Sequence, residues 1–165
     1  MPEVLVLNAS PVIFLAKAGR LDLLRLPGTR RVVVPDPVVR EVTDAGYDDA
    51  PARALAETPW IEHGGSPAVP EEILAWDLGP GESSVIALAR QVSGAAVLDD
   101  RLGRKCALAL GVPVMGTVGI VVAAQRTGMV ADARAVLLEL RAVGMWLSDE
   151  VIARALRVAG LDSRR

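Results

Sequence analysis

The stretch "AAVLDDRLGRKCALALGVPVMGTVG", residues Ala95–Gly119, decides the fold. Ala95–Leu98 is an unbroken small and apolar run, as expected of a strand buried on both faces. It runs straight into two adjacent carboxylates, Asp99 and Asp100. A helix follows from Arg101 and stops at Gly111. "VPVM" (Val112–Met115) reads as the next strand, and Gly116–Thr117 opens another helix with Thr117 as a possible cap. Strand, helix, strand, helix at this spacing is the grammar of a mainly parallel sheet.

Working outward, the same grammar recurs. "VLVL" (Val4–Leu7) is a second buried-strand run, ending at Asn8. In "SPVIFLAKAG", Ser10 is a candidate N-cap, Pro11 suits the first helical turn, and Gly19 marks the stop. "RLDLLRLPG" reads as a short helix, "RRVVVP" as a strand, and "PDPVVREVTDAG" as a helix from Asp36 to near Gly46. Asp48–Glu57 has helical character and "WIEH" suits a short edge strand. "HGGSPAVPEE" is a loop by composition. "GPGESSVIALARQV" opens a helix whose apolar residues Val85, Ile86, Leu88 and Ala89 recur at helical spacing. "GTVGIVVAAQRTGM" and two amphipathic helices, entered at Asp132 and at Ser148 or Asp149, complete the chain. The expected architecture is α/β: a three-layer sandwich with a central, mainly parallel sheet of about four or five strands flanked by helices. One domain over residues 1–165 is expected, with the helices of about 131–160 packed on it.

Composition narrows the class. Hydrophobic residues make up 52% of 165 but aromatics only 3%, so Ala, Val and Leu must build the core. A net charge of −2 argues against a globally basic nucleic-acid binder. One cysteine and one histidine cannot make an intrachain disulfide or a zinc cluster, and Cys106 in its apolar run reads as a buried small side chain. The longest apolar run, "GTVGIVVAAQ", is too short to span a bilayer. No secretory signal is apparent. A cytoplasmic protein is the expectation.

In open parallel sheets, functional groups gather beyond the carboxyl ends of the strands. Asn8 and Ser10 stand after the first strand, Glu41 after the second, Asp99 and Asp100 after Ala95–Leu98, and Gly116 and Thr117 after the last. Glu82 opens the helix leading into Ala95–Leu98. Each acid has an ordinary structural role available. Glu82 sits where a helix dipole favours negative charge, Glu41 suits a solvated surface, Asn8 suits a turn, and one of the aspartates must cap the next helix. Their joint order is what matters. Grouped carboxylates repel one another unless a cation neutralises them. Oxygen donors without thiolate or imidazole select hard ions such as Mg²⁺ or Mn²⁺, which activate water and stabilise phosphodiester cleavage. A receiver-like phosphoacceptor is a weaker alternative, because the acid pair does not follow the first strand and no Lys follows a fifth.

The blocks "VLNASPVIFLAKAGRLDLL", "VVVPDPVVREV", "LGPGESSVIALA", "AAVLDDRLGRKCALALGVPVMGTVGIVVAAQRTGM" and "WLSDEVIARALRVAG" resemble the PIN-domain family. More narrowly, they resemble its prokaryotic branch related to VapC-type toxin ribonucleases. The resemblance covers nearly the whole chain and implies a Mg²⁺- or Mn²⁺-dependent endoribonuclease. It places catalytic acids at Glu41, Glu82 and Asp100, with Asp99 beside it. The same residues and Asn8 are the implied metal ligands, and Ser10 and Thr117 support them. Arg104 and Lys105, on the helix after the acid pair, are candidate phosphate contacts. The second basic stretch, Arg20, Arg25, Arg30 and Arg31, has no such placement, and Trp60, Trp76 and Trp146 are too scattered for a base-stacking platform. A homodimer and a small cognate antitoxin are implied partners, alongside an RNA substrate. Asn8 departs from the usual Asp. An amide offers one neutral carbonyl where the family has a charged carboxylate. The alternative is therefore a catalytically weak PIN-like protein that binds nucleic acid or an antitoxin partner.

Overall fold

The apolar run after Glu3 forms strand β1 (Val4–Leu7), the centre of a five-stranded sheet. The computed structural model describes residues 1–44 and 49–161. Along the chain follow α1 (Ala9–Lys17), a 3₁₀ turn (Leu21–Leu24), β2 (Arg31–Val34), α2 (Asp36–Asp44), α3 (Ala50–Ala56) and β3 (Ile61–His63). Then come α4 (Glu71–Leu74), α5 (Pro80–Gln91), β4 (Ala95–Val97), α6 (Arg101–Ala109), β5 (Val114–Met115), α7 (Thr117–Arg126), α8 (Ala133–Ala142) and α9 (Asp149–Val158). The sheet order is β3-β2-β1-β4-β5 and every pairing is parallel. The architecture is α/β and PIN-like, with nine helices among the described residues flanking the sheet.

That order matters for function. β1 pairs with β2 on one side (Leu5 opposite Val32) and with β4 on the other (Leu7 opposite Val97). The connections run outward in opposite directions from this centre, so the β1–β4 boundary is a topological switch point, where a crevice opens past the carboxyl ends. The ladder continues one residue past β1, with the Asn8 N–H donating to the Val97 carbonyl at 3.1 Å. The Leu98 N–H likewise donates to Met115 at 2.9 Å. Asn8 and Asp99 are thereby delivered to neighbouring positions at one end of the sheet.

The core is aliphatic, as the composition requires. Leu5, Val6, Leu7, Ala95, Ala96, Val97 and Leu98 are fully buried. Removing a Leu or Val side chain from water contributes about 1.5–3 kcal/mol each. α5 packs on β1 and β4, and its buried face mixes Val85, Ile86 and Leu88 with Ala87 and Ala89, small enough for close approach. α7 packs with α8 and α9, and α1 with α3 and α8. Cys106 is buried within this core.

Local details depart from the sequence reading in several places. Ser10 is not the cap of α1: Asn8 holds the N-cap position without a side-chain cap bond, and Ser10 lies in the first turn. Thr117 is likewise the first residue of α7, with Gly116 at the cap. Both hydroxyls are drawn elsewhere, to Asp99. Leu21–Leu24 is a 3₁₀ turn, because Pro27 and Gly28 leave no room for a longer helix. A four-residue helix, Glu71–Leu74, closes the segment read as loop. Asp132 and Ser148 do cap α8 and α9 through Arg134 N–H and Val151 N–H. The stop expected near Gly46 and the helix start at Asp48 lie outside the described residues. No helix among the described residues is long and apolar enough to cross a membrane.

Candidate active site

Asn8 is a buried polar group at the strand ends. Only 7% of it is exposed, and its Oδ1 is buried without a hydrogen-bond partner. An unsatisfied buried carbonyl costs about 1–3 kcal/mol, so this atom asks for a donor or a cation. Its surroundings are fixed by Gly81, in the first turn of α5. A Cβ at Gly81 would stand 3.2 Å from Asn8 Oδ1 and 2.7 Å from Glu41 Oε2. Both oxygens therefore crowd the same glycine, and only the missing side chain admits them.

Glu82 follows Gly81, half-buried, with Oε2 accepting from the Gly79 N–H at 3.3 Å. Its carboxyl is pushed above the ordinary carboxylate range. Burial is the main cause, and the negative charges of Asp100 and Glu41 add to it, against the Gly79 hydrogen bond. Glu82 on α5 thus feels the charges of two acids from other elements, Glu41 on α2 and Asp100 in the β4–α6 turn. These three acids and Asn8 Oδ1 form an oxygen-only group at the switch point.

Asp99 and Asp100 divide their work in a way the sequence left open. Asp100, and not Asp99, caps α6: its Oδ2 accepts from the Gly103 N–H at 2.9 Å. Asp99 turns instead toward α7 and α1. Its Oδ1 accepts from the Thr117 N–H at 2.8 Å, and its Oδ2 accepts from Thr117 Oγ1 at 2.6 Å and Ser10 Oγ at 3.4 Å. Thr117 is fully buried. Asp99 thus ties the starts of α1 and α7 to the end of β4.

Arg104 is engaged at the same place. Its Nη1 donates to the Leu98 carbonyl at 2.9 Å. A Cβ on Gly116 would fall 2.9 Å from this Nη1 and 3.1 Å from Asp99 Oδ1, so glycine is needed for the close approach. A hollow of about 420 Å³ opens here, lined by Asp99, Arg104 and Gly116 among others. Lys105 is exposed on α6. The other basic stretch is largely consumed internally: Arg20 pairs with Glu139, Arg30 with Glu3, Arg31 with Glu62, and Arg25 lies over the Trp60 ring at 5.5 Å.

The sequence-derived residues are thus brought to one end of the sheet, but in two subsets. In one, Asn8 and Glu41 meet around Gly81, and Glu82 feels the charges of Glu41 and Asp100. Asp99, Ser10, Thr117 and Arg104 form a hydrogen-bonded network beside it. Gly81 was missed as a site residue; its signal was the "GPGE" entry to α5, where a helix start with two glycines marks close approach. Among the described residues, no three of the His, Cys, Asp and Glu side chains stand close enough to hold a metal ion. The donor chemistry still fits a hard divalent cation: every group is an oxygen, one is an orphaned buried carbonyl, and the charges of Asp100 and Glu41 help raise the proton affinity of Glu82.

A comparison with curated proteins finds no match. A family model described as a PIN domain matches residues 4–161, nearly the whole chain and all of the groups above. The chain belongs to the PIN-domain family, a membership that points to nuclease-type function on nucleic acid.

Proposed function

We propose that this protein is an endoribonuclease dependent on Mg²⁺ or Mn²⁺. The observation that carries this reading is the buried, unpartnered Asn8 Oδ1 beside Glu41 and the proton-hungry Glu82. Asn8, Glu41, Glu82 and Asp100 would hold the cation. When bound, it supplies activation of water and neutralisation of the phosphate charge. The chain's own part is positional. Glu41 and Glu82 reach the crevice from α2 and α5, and Gly81 keeps the space between them open. Asp100 holds the start of α6. Asp99, through Thr117 and Ser10, sets α7 and α1 against the strand ends, and its oxygens are already engaged by three donors. It is the less suited of the two aspartates as a ligand. Arg104, turned to the same edge, offers its remaining N–H groups to phosphate, with Lys105 exposed beside it.

The reading extends to a toxin-like, VapC-related protein acting in the cytoplasm as one domain and a homodimer, held in check by a small antitoxin. The family membership and the motif blocks support it. Mn²⁺-dependent cleavage of an internally labelled RNA tests the enzyme. Wild type is expected to cut, and Glu82→Gln and Asp100→Asn to lose most of the activity. Equal cleavage by all three sinks the metal mechanism.

Asn8 favours a second reading, a catalytically weak PIN-like protein that binds nucleic acid or a partner. The site carries one negative charge fewer than a carboxylate would give. In that case Asn8→Asp sharply raises Mn²⁺ affinity by calorimetry, and equal affinity in the two proteins removes the idea.

A further inference from the structure

Five of the described arginines are held in ion pairs with carboxylates, and several exposed ones, Arg126 and Arg154 among them, are not. Arg20, Arg30, Arg31, Arg90 and Arg141 each pair with a carboxylate. Arg126, at the end of α7, and Arg154, on α9, are exposed and have no carboxylate partner among the described residues. Both line a hollow of about 520 Å³ between these helices. Its floor is apolar, with the half-buried Val118 and Val122, and Val151 and Val158, 40% and 82% exposed, stand toward its rim. An apolar groove with unpaired cations on its walls is an unusual surface to leave in water.

The groove adjoins the hydrogen-bonded network at Asp99 and Arg104, which lies beside the candidate cation ligands. The hollow at Asp99, Arg104 and Gly116 shares Val118 and Gly119 with it. A Cβ built at Gly119, which lines both hollows, meets nothing within 4 Å. α7 runs from Thr117, which is bonded to Asp99, to Arg126, a span of roughly 14 Å at ~1.5 Å per residue. About two nucleotides of an extended strand cover that length.

We propose that the α7–α9 groove carries the single-stranded RNA flanking the scissile bond. Arg126 and Arg154 contact phosphates, and the valine floor receives the apolar faces of unstacked bases. This rests on the ribonuclease reading given above and adds a binding path to it. Charge selects the occupant. Arg104, Arg126 and Arg154 line the adjoining hollows, and among the described residues the one carboxylate lining them, Asp99, is already hydrogen-bonded. A second copy docked face to face would bring like charges together, which is unfavourable. A polyanion with flat apolar faces suits both the walls and the floor, and guanidinium planes also stack on bases.

The test is anisotropy binding of a short unstructured single-stranded RNA, without divalent cations, across a salt titration. Wild type, Arg126→Ala, Arg154→Ala, the double variant and a remote control, Arg53→Ala, are compared, with melting curves confirming that each is folded. The double variant is expected to bind several-fold more weakly whatever the RNA sequence. Its log–log salt slope is expected to be shallower by about 1.4, at ~0.7 per lost phosphate contact. Arg53→Ala is expected to match wild type. Unchanged affinity and slope in the double variant overturn the path, as does a wild type that binds no RNA. So does a Val158→Asp variant that turns a dimer into a monomer while RNA affinity holds, since the groove is then an interface between copies. Cleavage in Mn²⁺ is scored separately. A protein that binds RNA through these arginines but does not cut it keeps the path and loses the ribonuclease reading.

Discussion

Thr117→Val isolates the Asp99 network from everything else at the strand ends. Val has the shape of Thr without the hydroxyl, and position 117 is fully buried, so no new cavity forms. What is lost is the 2.6 Å donation from Thr117 Oγ1 to Asp99 Oδ2, while the backbone donation at 2.8 Å remains. Hydrogen bonds to charged groups contribute about 1.5–3 kcal/mol. Asp99 is only half-buried, so water replaces part of the loss and the low end, about 1.5 kcal/mol, applies. For a chain of this length each kcal/mol moves Tm by roughly 2–4 °C, so a fall of about 3–6 °C is expected. Urea and thermal denaturation followed by circular dichroism measure both. Asp99→Asn is then added to each background. The two changes touch one hydrogen bond, so their combined cost is expected to fall short of the sum by about 1 kcal/mol. Strict additivity, within ~0.3–0.5 kcal/mol, refutes the reasoning that Asp99 is a structural tie to α7.

Gly81→Ala places a methyl 2.7 Å from Glu41 Oε2 and 3.2 Å from Asn8 Oδ1. It is expected to displace Glu41 and cut Mn²⁺-dependent cleavage by more than tenfold while Tm changes little, because alanine also favours the helix by about 0.5–1 kcal/mol; unchanged cleavage kinetics contradict this. Glu82 supplies a pH dependence. Its carboxyl is raised by burial and neighbouring charge, so the native state binds a proton more tightly than the unfolded chain. That contribution to stability is full below the unfolded carboxylate value and disappears as pH rises through the raised native value. Without divalent cations, Glu82→Gln is therefore expected to flatten this acid-side slope and to be more stable than wild type at neutral pH. Parallel curves for the two proteins rule it out. Gly116→Ala forces a methyl between Arg104 and Asp99, at 2.9 and 3.1 Å, and is expected to destabilise the protein by about 1–3 kcal/mol in urea denaturation.

Much of this was legible in the sequence because the strands here are short, apolar and buried on both faces. "VLVL", "RVVV" and "AAV" admit few other readings, and the residue after each is placed by the parallel ladder. The acids at those ends followed without any knowledge of side-chain contacts. What sequence did not reveal is the partition within the site. Two adjacent aspartates look alike in one dimension. Only the positions of Gly103 and Thr117 in space show that Asp100 caps its own helix and Asp99 reaches across to another. Ser10 and Thr117 were misread as caps for the same reason: a hydroxyl near a helix start has a local partner available, and a long-range carboxylate outcompetes it. Gly81 was invisible as a site residue because its role is the absence of a side chain between two oxygens from distant elements.

The central claim is that the Asn8, Glu41, Glu82 and Asp100 oxygens hold a divalent cation for RNA cleavage. A crystal grown with Mn²⁺ and measured at an anomalous wavelength tests it most directly. One or two anomalous peaks are expected within coordination distance of Asn8 Oδ1 and the three carboxylates, with Asp99 still bound to Thr117. A site with no peak, or a peak on Asp99 alone with the Thr117 contacts broken, contradicts it.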